Sequence, residues 1–179
     1  FPDITYGFYQ VYADLFALTV HLLPLAEDFT INLSDYRELD GGIFLANPNA
    51  PTGICLSPQD IEKILLANPD QLVVVDEAYI DFSDNNTCIP LIHRYDNLLV
   101  IQTFSKSRAL AGMRLGFGFG NPALLDGLER MKYSFNPYNL DKVSLDVGVA
   151  SLSDPDYFST VTEQIVETRE RTKNALEIL

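Results

Sequence analysis

The chain alternates short apolar runs with segments in which apolar residues recur every three or four positions. The runs at 43–46, 72–76 and 98–102 do not alternate with polar residues, which is typical of strands buried on both faces. After the first run, Ser57 precedes Pro58, and this pair predicts a helix that Ser57 caps. Strand, helix and strand in this order predict a parallel sheet whose ligands bind beyond the carboxyl ends of its strands.

Further elements are expected on both sides of this unit. The patterns predict a helix at 6–18, a strand at 20–25, a strand at 114–120, and helices at 121–133, at 140–152 and from residue 153 onward. Either Ser153 or Asp154 is expected to cap the last helix, with Pro155 in its first turn. Its predicted apolar face consists of Phe158, Val161, Ile165 and Leu176.

Composition narrows the possible functions. The 179 residues include 25 acidic and 12 basic side chains, and the formal net charge of −13 repels nucleic-acid phosphates and anionic lipid head groups. Neither nucleic acid nor a membrane is therefore expected as a partner. The longest apolar stretch, 15–26, is interrupted by His21 and Pro24 and is shorter than the roughly 20 residues of a membrane span. Because no signal-peptide pattern opens the chain, a cytoplasmic location is expected.

The spacing of cysteines and histidines does not predict a metal site. Cys55 and Cys88 have neither zinc nor redox spacing, and buried free thiols are expected. His21 and His93 lie far apart and outside any H-E-x-x-H pattern, so surface or packing roles are expected. The glycine-rich segment 116–120 lacks the G-x-G-x-x-G spacing of a nucleotide-binding loop, which favours close packing instead.

Two of the predicted strands lead into polar residues that can do chemistry. Asn49 lies in the turn-forming segment 47–53, where two prolines fix the backbone, and a functional loop and a plain surface turn remain equally open. Asp76 ends the second strand, and a buried carboxylate needs a cationic or hydrogen-bonding partner. A protonated ring nitrogen, an arginine, a lysine or a metal would serve, and helix N-capping is the alternative.

The third strand leads into a lysine surrounded by hydroxyl groups. Lys106 follows Thr103 and Ser105 and precedes Ser107, and Arg114 comes eight positions later. Hydroxyls and a guanidinium can hold a phosphate, and an amine among apolar neighbours loses its proton easily and acts as a nucleophile. The segment therefore predicts a lysine that forms an imine beside a phosphate site.

Three ordered motifs together resemble the large domain of fold-type-I, pyridoxal-phosphate-dependent aminotransferases of class I/II, with the closest likeness to the histidinol-phosphate group. The motifs are Asn49-Ala50-Pro51-Thr52-Gly53, Asp76-Glu77-Ala78-Tyr79, and Ser105-Lys106 followed by Leu110-Ala111-Gly112-Met113-Arg114. The resemblance implies an α/β three-layer sandwich with a mostly parallel central sheet. Residues 1–152 would form part of the cofactor-binding large domain, and residues 153–179 a long helix leading toward a small domain.

The resemblance also implies roles for individual residues, with Lys106, Asp76 and Tyr79 as the catalytic ones. Lys106 would form the internal aldimine with pyridoxal 5'-phosphate and later transfer a proton, and Asp76 would pair with the pyridinium nitrogen. The other implied cofactor contacts are Asn49 and Tyr79 to the ring oxygen, Ala78 and Tyr6 to the two ring faces, and Thr103, Ser105 and Arg114 to the phosphate.

The implied activity is transamination between an amino acid or amino-alcohol phosphate, with histidinol phosphate as a candidate, and a 2-oxo acid. A homodimer active in amino-acid biosynthesis is implied. Two alternatives stay open: a decarboxylase or lyase of the same fold, and a non-catalytic aminotransferase-like regulatory domain. The phosphate-binding glycine loop, a tyrosine lent by the partner subunit and the arginine that grips the substrate carboxylate would lie outside the chain. We therefore expect a piece of a longer protein, inactive alone.

Overall fold

The computed structural model describes residues 1–84 and 87–178, and a four-stranded sheet lies at its centre. The strands are β1 (Ile43–Ala46), β2 (Val73–Asp76), β3 (Leu98–Thr103) and β4 (Gly116–Gly120), hydrogen-bonded in that order. The first three strands are parallel, and β4 runs antiparallel to β3. The predicted α/β fold with a mostly parallel sheet is confirmed.

Helices account for most of the remaining regular structure. They are α1 (Phe8–Leu15), α2 (Pro58–Ala67), α3 (Pro122–Phe135), α4 (Lys142–Leu152) and α5 (Pro155–Leu176), with short 3-10 turns at Leu33–Tyr36, Ile80–Phe82, Ile89–His93 and Ala111–Met113. The predicted caps are present, because Ser57 accepts the Asp60 N–H at 3.2 Å and Asp154 accepts the Tyr157 N–H at 3.1 Å. No helix in the described part of the chain combines the length and the apolar character needed to cross a membrane.

Side-chain alternation along the strands places helices on both faces of the sheet. Ile43 and Leu45 belong to a buried core that α2 and the neighbouring strands complete, through Ile61, Ile64, Leu65, Val73, Val75, Leu98 and Val100. Phe44 points to the opposite face, where its ring centroid lies 6.0 Å from that of Tyr9 in α1. Because each buried Leu or Ile contributes about 1.5–3 kcal/mol, this core fixes the register of the strand ends.

Two expectations about the elements differ from the structure. The strand predicted at 20–25 is wrong: Leu23 makes an isolated bridge to Pro2, and the ladder stops there because the Leu25 N–H donates to the side chain of Asp3 at 3.0 Å instead of to a backbone carbonyl. The apolar face predicted for α5 is only partly buried at its start, at Phe158 and Val161, and is exposed further on, since Ile165 is 44% exposed and Leu176 is 64% exposed. The domain boundary at residue 152 stays a prediction.

Candidate active site

The loops that carry the expected site residues meet at one edge of the sheet. Strand register pairs Ala46 with Asp76 and Thr103 with Gly116, so the carboxyl ends of β1, β2 and β3 lie beside the amino end of β4. The expected residues at or next to these strand ends are Asn49, Asp76, Tyr79, Thr103, Ser105, Lys106 and Arg114. The topology therefore brings groups from four separate segments to one place.

Two donors hold the Asp76 carboxylate at the end of β2. Its Oδ1 accepts the Ala78 N–H at 3.0 Å, and its Oδ2 accepts the Tyr9 hydroxyl at 2.9 Å. Burial, together with the nearby charge of Asp76, raises the pKa of Tyr9, so the phenol remains a protonated donor. The sequence left open whether a cation or a hydrogen-bond donor pairs with Asp76, and in the structure both partners are hydrogen-bond donors of the chain.

Asn49 joins the loop after β1 to the segment that precedes α1. The side chain is buried, its oxygen accepts the Thr5 hydroxyl at 2.7 Å, and its amide donates to Ile4 O at 2.9 Å and to Thr52 Oγ1 at 3.2 Å. A surface turn would not bury an amide with three partners. Asn49 is therefore part of the site edge, and its amide already has acceptors within the chain.

Tyr6 reaches this region from the same segment. Its ring centroid lies 5.5 Å from that of Tyr9, with the ring planes nearly perpendicular at 83°. The Tyr6 side chain is 50% exposed, so part of it is accessible to a ligand. The Tyr9 hydroxyl donates a hydrogen bond to Asp76, so this aromatic pair contacts the carboxylate.

Lys106 lies beside an aromatic ring in the loop after β3. Its Nζ is 5.0 Å from the centre of the Tyr79 ring, and both side chains are exposed. The expectation of an amine among apolar neighbours is therefore wrong for this structure, in which the amine meets solvent and a π face. Ser107 donates a hydrogen bond to Asp81, and this link ties the Lys106 loop to the loop that carries Tyr79.

The side chains expected to bind a phosphate lie at the same edge of the sheet, and each of them makes a hydrogen bond within the chain. Thr103 Oγ1 is 2.9 Å from Ser105 Oγ and 3.2 Å from Leu115 O, and it accepts the Ser105 N–H at 3.0 Å. Arg114 is exposed, has the left-handed backbone angle φ 56°, and donates to Ala111 O at 2.9 Å. That bond uses one of the five N–H groups of the guanidinium.

Taken together, the edge offers a primary amine, a carboxylate, a guanidinium, hydroxyls and exposed aromatic rings. An amine attacks a carbonyl carbon, and a carboxylate pairs with a protonated heterocycle. A guanidinium with hydroxyls binds a phosphate. The set suits a flat heterocycle that carries both a carbonyl and an anionic group.

Sequence reasoning missed the carboxylate next to Asp76. Glu77 is 1% exposed and accepts bonds from the Thr87 hydroxyl at 2.8 Å, the Cys88 N–H at 2.6 Å and the Gln102 amide at 2.8 Å. Burial raises the pKa of Glu77, and these donors oppose that effect. The strand pattern could have indicated this difference, because adjacent residues of a strand face opposite sides of the sheet, so Glu77 is expected to face away from Asp76.

Cysteines and histidines take no part in the edge described above. Cys88 is buried as predicted, whereas Cys55 is only partly buried, and burial raises the pKa of both thiols. His21 and His93 are exposed, in agreement with their expected surface roles. Across residues 1–84 and 87–178, no cluster of three or more His, Cys, Asp or Glu side chains could hold a metal ion.

The glycines of β4 pack closely against β3, as the sequence predicts. A Cβ added to Gly116 would lie 3.2 Å from Gln102 O, and one added to Gly120 would lie 3.1 Å from Leu98 O. Both distances are tighter than ordinary side-chain contacts. The segment is therefore a packing element.

Comparisons with known proteins agree on one family. Residues 1–178 match the family model described as "Aminotransferase class I and II". The chain is 50% identical to the histidinol-phosphate aminotransferase of Brachyspira hyodysenteriae, covering 100% of this chain and 51% of the relative. It is 51% identical to histidinol-phosphate aminotransferase 2 of Dechloromonas aromatica, covering 100% of this chain and 52% of the relative.

A solved structure gives the same result for the fold. The histidinol-phosphate aminotransferase of Sinorhizobium meliloti, solved in complex with pyridoxal-5'-phosphate, superposes with a TM-score of 0.85 at 23% identity, covering 96% of this chain and 48% of that one. The chain thus spans about half the length of the curated relatives that it matches.

Proposed function

The chain belongs to the class I and II aminotransferases, and from this membership we propose that the full-length protein transfers an amino group between an amino donor and a 2-oxo acid. The observation that carries the proposal is the meeting of Lys106, Asp76 and Arg114 at one edge of the sheet. They supply an amine, a carboxylate and a guanidinium, and they come from three different segments.

Histidinol phosphate is the amino donor that we propose. The support is the name of the relatives at 50% and 51% identity, since both are histidinol-phosphate aminotransferases. No observation favours a decarboxylase or lyase of the same fold, or a non-catalytic regulatory domain. Profiling the full-length protein with histidinol phosphate, aromatic amino acids and small aliphatic amino acids tests the donor. Release of carbon dioxide in place of 2-oxo acid formation would contradict transamination.

The residues at the edge fit pyridoxal 5'-phosphate by their chemistry. Lys106 offers an accessible amine for its aldehyde, Asp76 a carboxylate for its ring nitrogen, and Arg114 a guanidinium for its phosphate, with Thr103 and Ser105 as neighbouring hydroxyls. When bound, this cofactor supplies an electron sink for the bonds at the amino-bearing carbon.

Each proposed residue has a separate task. Lys106 would hold the cofactor through its Nζ, and in the reaction the same Nζ would carry a proton to and from the substrate carbon. Asp76 would keep the ring nitrogen protonated, because a carboxylate favours a positive charge nearby. Tyr79 would contact the ring oxygen, and Asn49 would do so by giving up its amide bond to Ile4 or Thr52. Tyr6 and Ala78 would pack on the two ring faces.

The proposal extends to the surroundings of this domain. We place the full-length protein in the cytoplasm as a homodimer active in amino-acid biosynthesis. Residues 153–179 lead toward a small domain, and residues 1–152 hold part of the cofactor site. Size-exclusion chromatography of the full-length protein with light scattering tests the dimer, and a monomeric mass would contradict it.

The test of the cofactor assignment is the absorption of the purified full-length protein. The wild-type protein is expected to show the visible band of bound pyridoxal phosphate, and Lys106→Ala is expected to lose both the band and transamination, since among residues 1–84 and 87–178 the other lysines lie on helices and not in the loops of this edge. Lys132→Ala is the matched control, because Lys132 is also exposed and its Nζ lies 5.8 Å from a tyrosine ring. A band that survives in Lys106→Ala would contradict the assignment.

A further inference from the structure

We propose that Tyr9 is a positioning residue, whose hydroxyl fixes the orientation of the Asp76 carboxylate for its pairing with the cofactor ring. The inference rests on the proposed function and adds a residue to it. Its starting point is the 2.9 Å hydrogen bond from the Tyr9 hydroxyl to Asp76 Oδ2, which joins α1 to the end of β2. The two residues are 67 positions apart in the chain.

The carboxylate has two fixed points, one on each oxygen. Ala78 N–H holds Oδ1 at 3.0 Å and Tyr9 holds Oδ2, so the plane of the carboxylate is determined. Each oxygen can accept a second hydrogen bond, which leaves capacity for a ring N–H. If the Tyr9 hydroxyl were removed and the Ala78 N–H remained, the carboxylate could rotate about its Cβ–Cγ bond, because this torsion has broad energy minima.

Tyr9 is itself held in place by packing. Its ring centroid lies 6.0 Å from Phe44 on β1, 5.5 Å from Tyr6 and 5.8 Å from Phe1. The hydroxyl therefore has a position set by the sheet and by the start of α1. A donor fixed in this way restrains its acceptor, whereas a mobile side chain would follow it.

The phenol is suited to this task because it donates without carrying a charge. Desolvation raises the pKa of Tyr9, and the neighbouring carboxylate raises it further. A cation at the same place would compete with the ring nitrogen for Asp76, since opposite charges attract most strongly. A neutral donor holds the carboxylate and leaves its charge for the ligand.

The test compares Tyr9→Phe with Tyr12→Phe in the full-length protein. Tyr9→Phe keeps the packed ring and removes only the hydroxyl, and Tyr12→Phe removes a phenol from the same helix at a position that is 53% exposed. Titrating the cofactor-free proteins with pyridoxal phosphate gives the dissociation constant. Tyr9→Phe is expected to weaken binding about tenfold, the effect of losing one hydrogen bond to a charged group.

Steady-state kinetics supply the second readout. A misaligned carboxylate weakens the electron sink, so Tyr9→Phe is expected to lower kcat by about tenfold while KM for the amino donor changes less. Tyr12→Phe is expected to match the wild type in both. A Tyr9→Phe protein with wild-type cofactor affinity and kcat would overturn the proposal.

A third readout needs no cofactor. The ¹³Cγ resonance of Asp76 in the cofactor-free protein, assigned with Asp76→Asn, reports on the donors at the carboxylate. We expect it to move in Tyr9→Phe and to stay in place in Tyr12→Phe, even if the full-length protein proves to use another cofactor. An unmoved resonance in Tyr9→Phe would overturn the proposed contact independently of the proposed function.

Discussion

Asp76 and Glu77 are adjacent carboxylates that lie in different surroundings at the end of β2. Asp76 is partly buried and accepts the hydroxyl of Tyr9, whereas Glu77 is 1% exposed and accepts three donors from other segments. The difference follows from strand geometry, because consecutive side chains point to opposite faces. Asp76 is thus free to meet a ligand, and Glu77 holds the loops behind it.

The buried Glu77 predicts a dependence of stability on pH. Because its pKa is raised in the folded protein, the folded state binds this proton more tightly than the unfolded state does. Its contribution to stability is fully present below the ordinary glutamate pKa of about 4.3 and is lost as pH rises through the raised value. Wild-type stability is therefore expected to fall relative to that of Glu77→Gln as the pH rises above the ordinary glutamate pKa of about 4.3.

Urea midpoints across this pH range measure the effect. Glu77→Gln also loses an acceptor, but that cost does not vary with pH, so the slope is the informative quantity. The exposed Glu129→Gln is the control and is expected to run parallel to the wild type. Parallel curves for Glu77→Gln as well would rule out a raised pKa for Glu77.

The sequence predicted the location of most site residues but few of their contacts. Asn49, Asp76 and Lys106 follow three apolar runs, and parallel strands necessarily bring their carboxyl ends to one edge. The bond between Tyr9 and Asp76 could not be predicted, because it depends on where α1 packs on the sheet. The roles of these residues toward the cofactor stay predictions.

At the scale of elements, the sequence correctly predicted the features that depend only on neighbouring residues, such as helix caps. The cap at Ser57 and the start of α5 after Asp154 need only neighbouring residues, and both are confirmed. The strand at 20–25 does not form, because beyond the single bridge between Pro2 and Leu23 the Leu25 N–H is taken by the side chain of Asp3. This side-chain contact between distant segments is one that the local pattern does not predict.

Arg108 links the loop that carries Lys106 to the last two helices. Its guanidinium donates to Ser151 O at 2.8 Å and lies 4.0 Å from the centre of the Phe158 ring. A charged hydrogen bond and a cation–π contact together are worth about 2 kcal/mol. Arg108→Ala is expected to destabilise the full-length protein by about that amount in thermal and urea unfolding.

The control for this contact is Arg130→Ala, which removes an exposed arginine from α3. Surface substitutions of this kind usually change stability by less than about 0.5 kcal/mol. Arg108→Lys is expected to recover part of the loss, because an amine can donate to Ser151 but stacks poorly on a ring. Equal stability of Arg108→Ala and Arg130→Ala would show that the link contributes nothing.

For the whole molecule, the fold and family follow from the chain, but the substrate and assembly do not. The order of strands and motifs was enough to predict a class I/II aminotransferase large domain, which the family match confirms. The relatives are about twice as long as this chain. We therefore propose that residues outside this chain contribute to the selection of the amino donor and to the dimer interface.

Trapping the bond between cofactor and protein tests the central claim most directly. Sodium borohydride treatment of the full-length protein purified with pyridoxal phosphate makes a lysine–cofactor bond permanent, and peptide mass mapping then identifies the modified lysine. The account predicts a pyridoxyl-phosphate adduct on the peptide that contains Lys106 and on no other. An adduct on a different lysine, or an unmodified Lys106 peptide in protein that retains the cofactor, would contradict it.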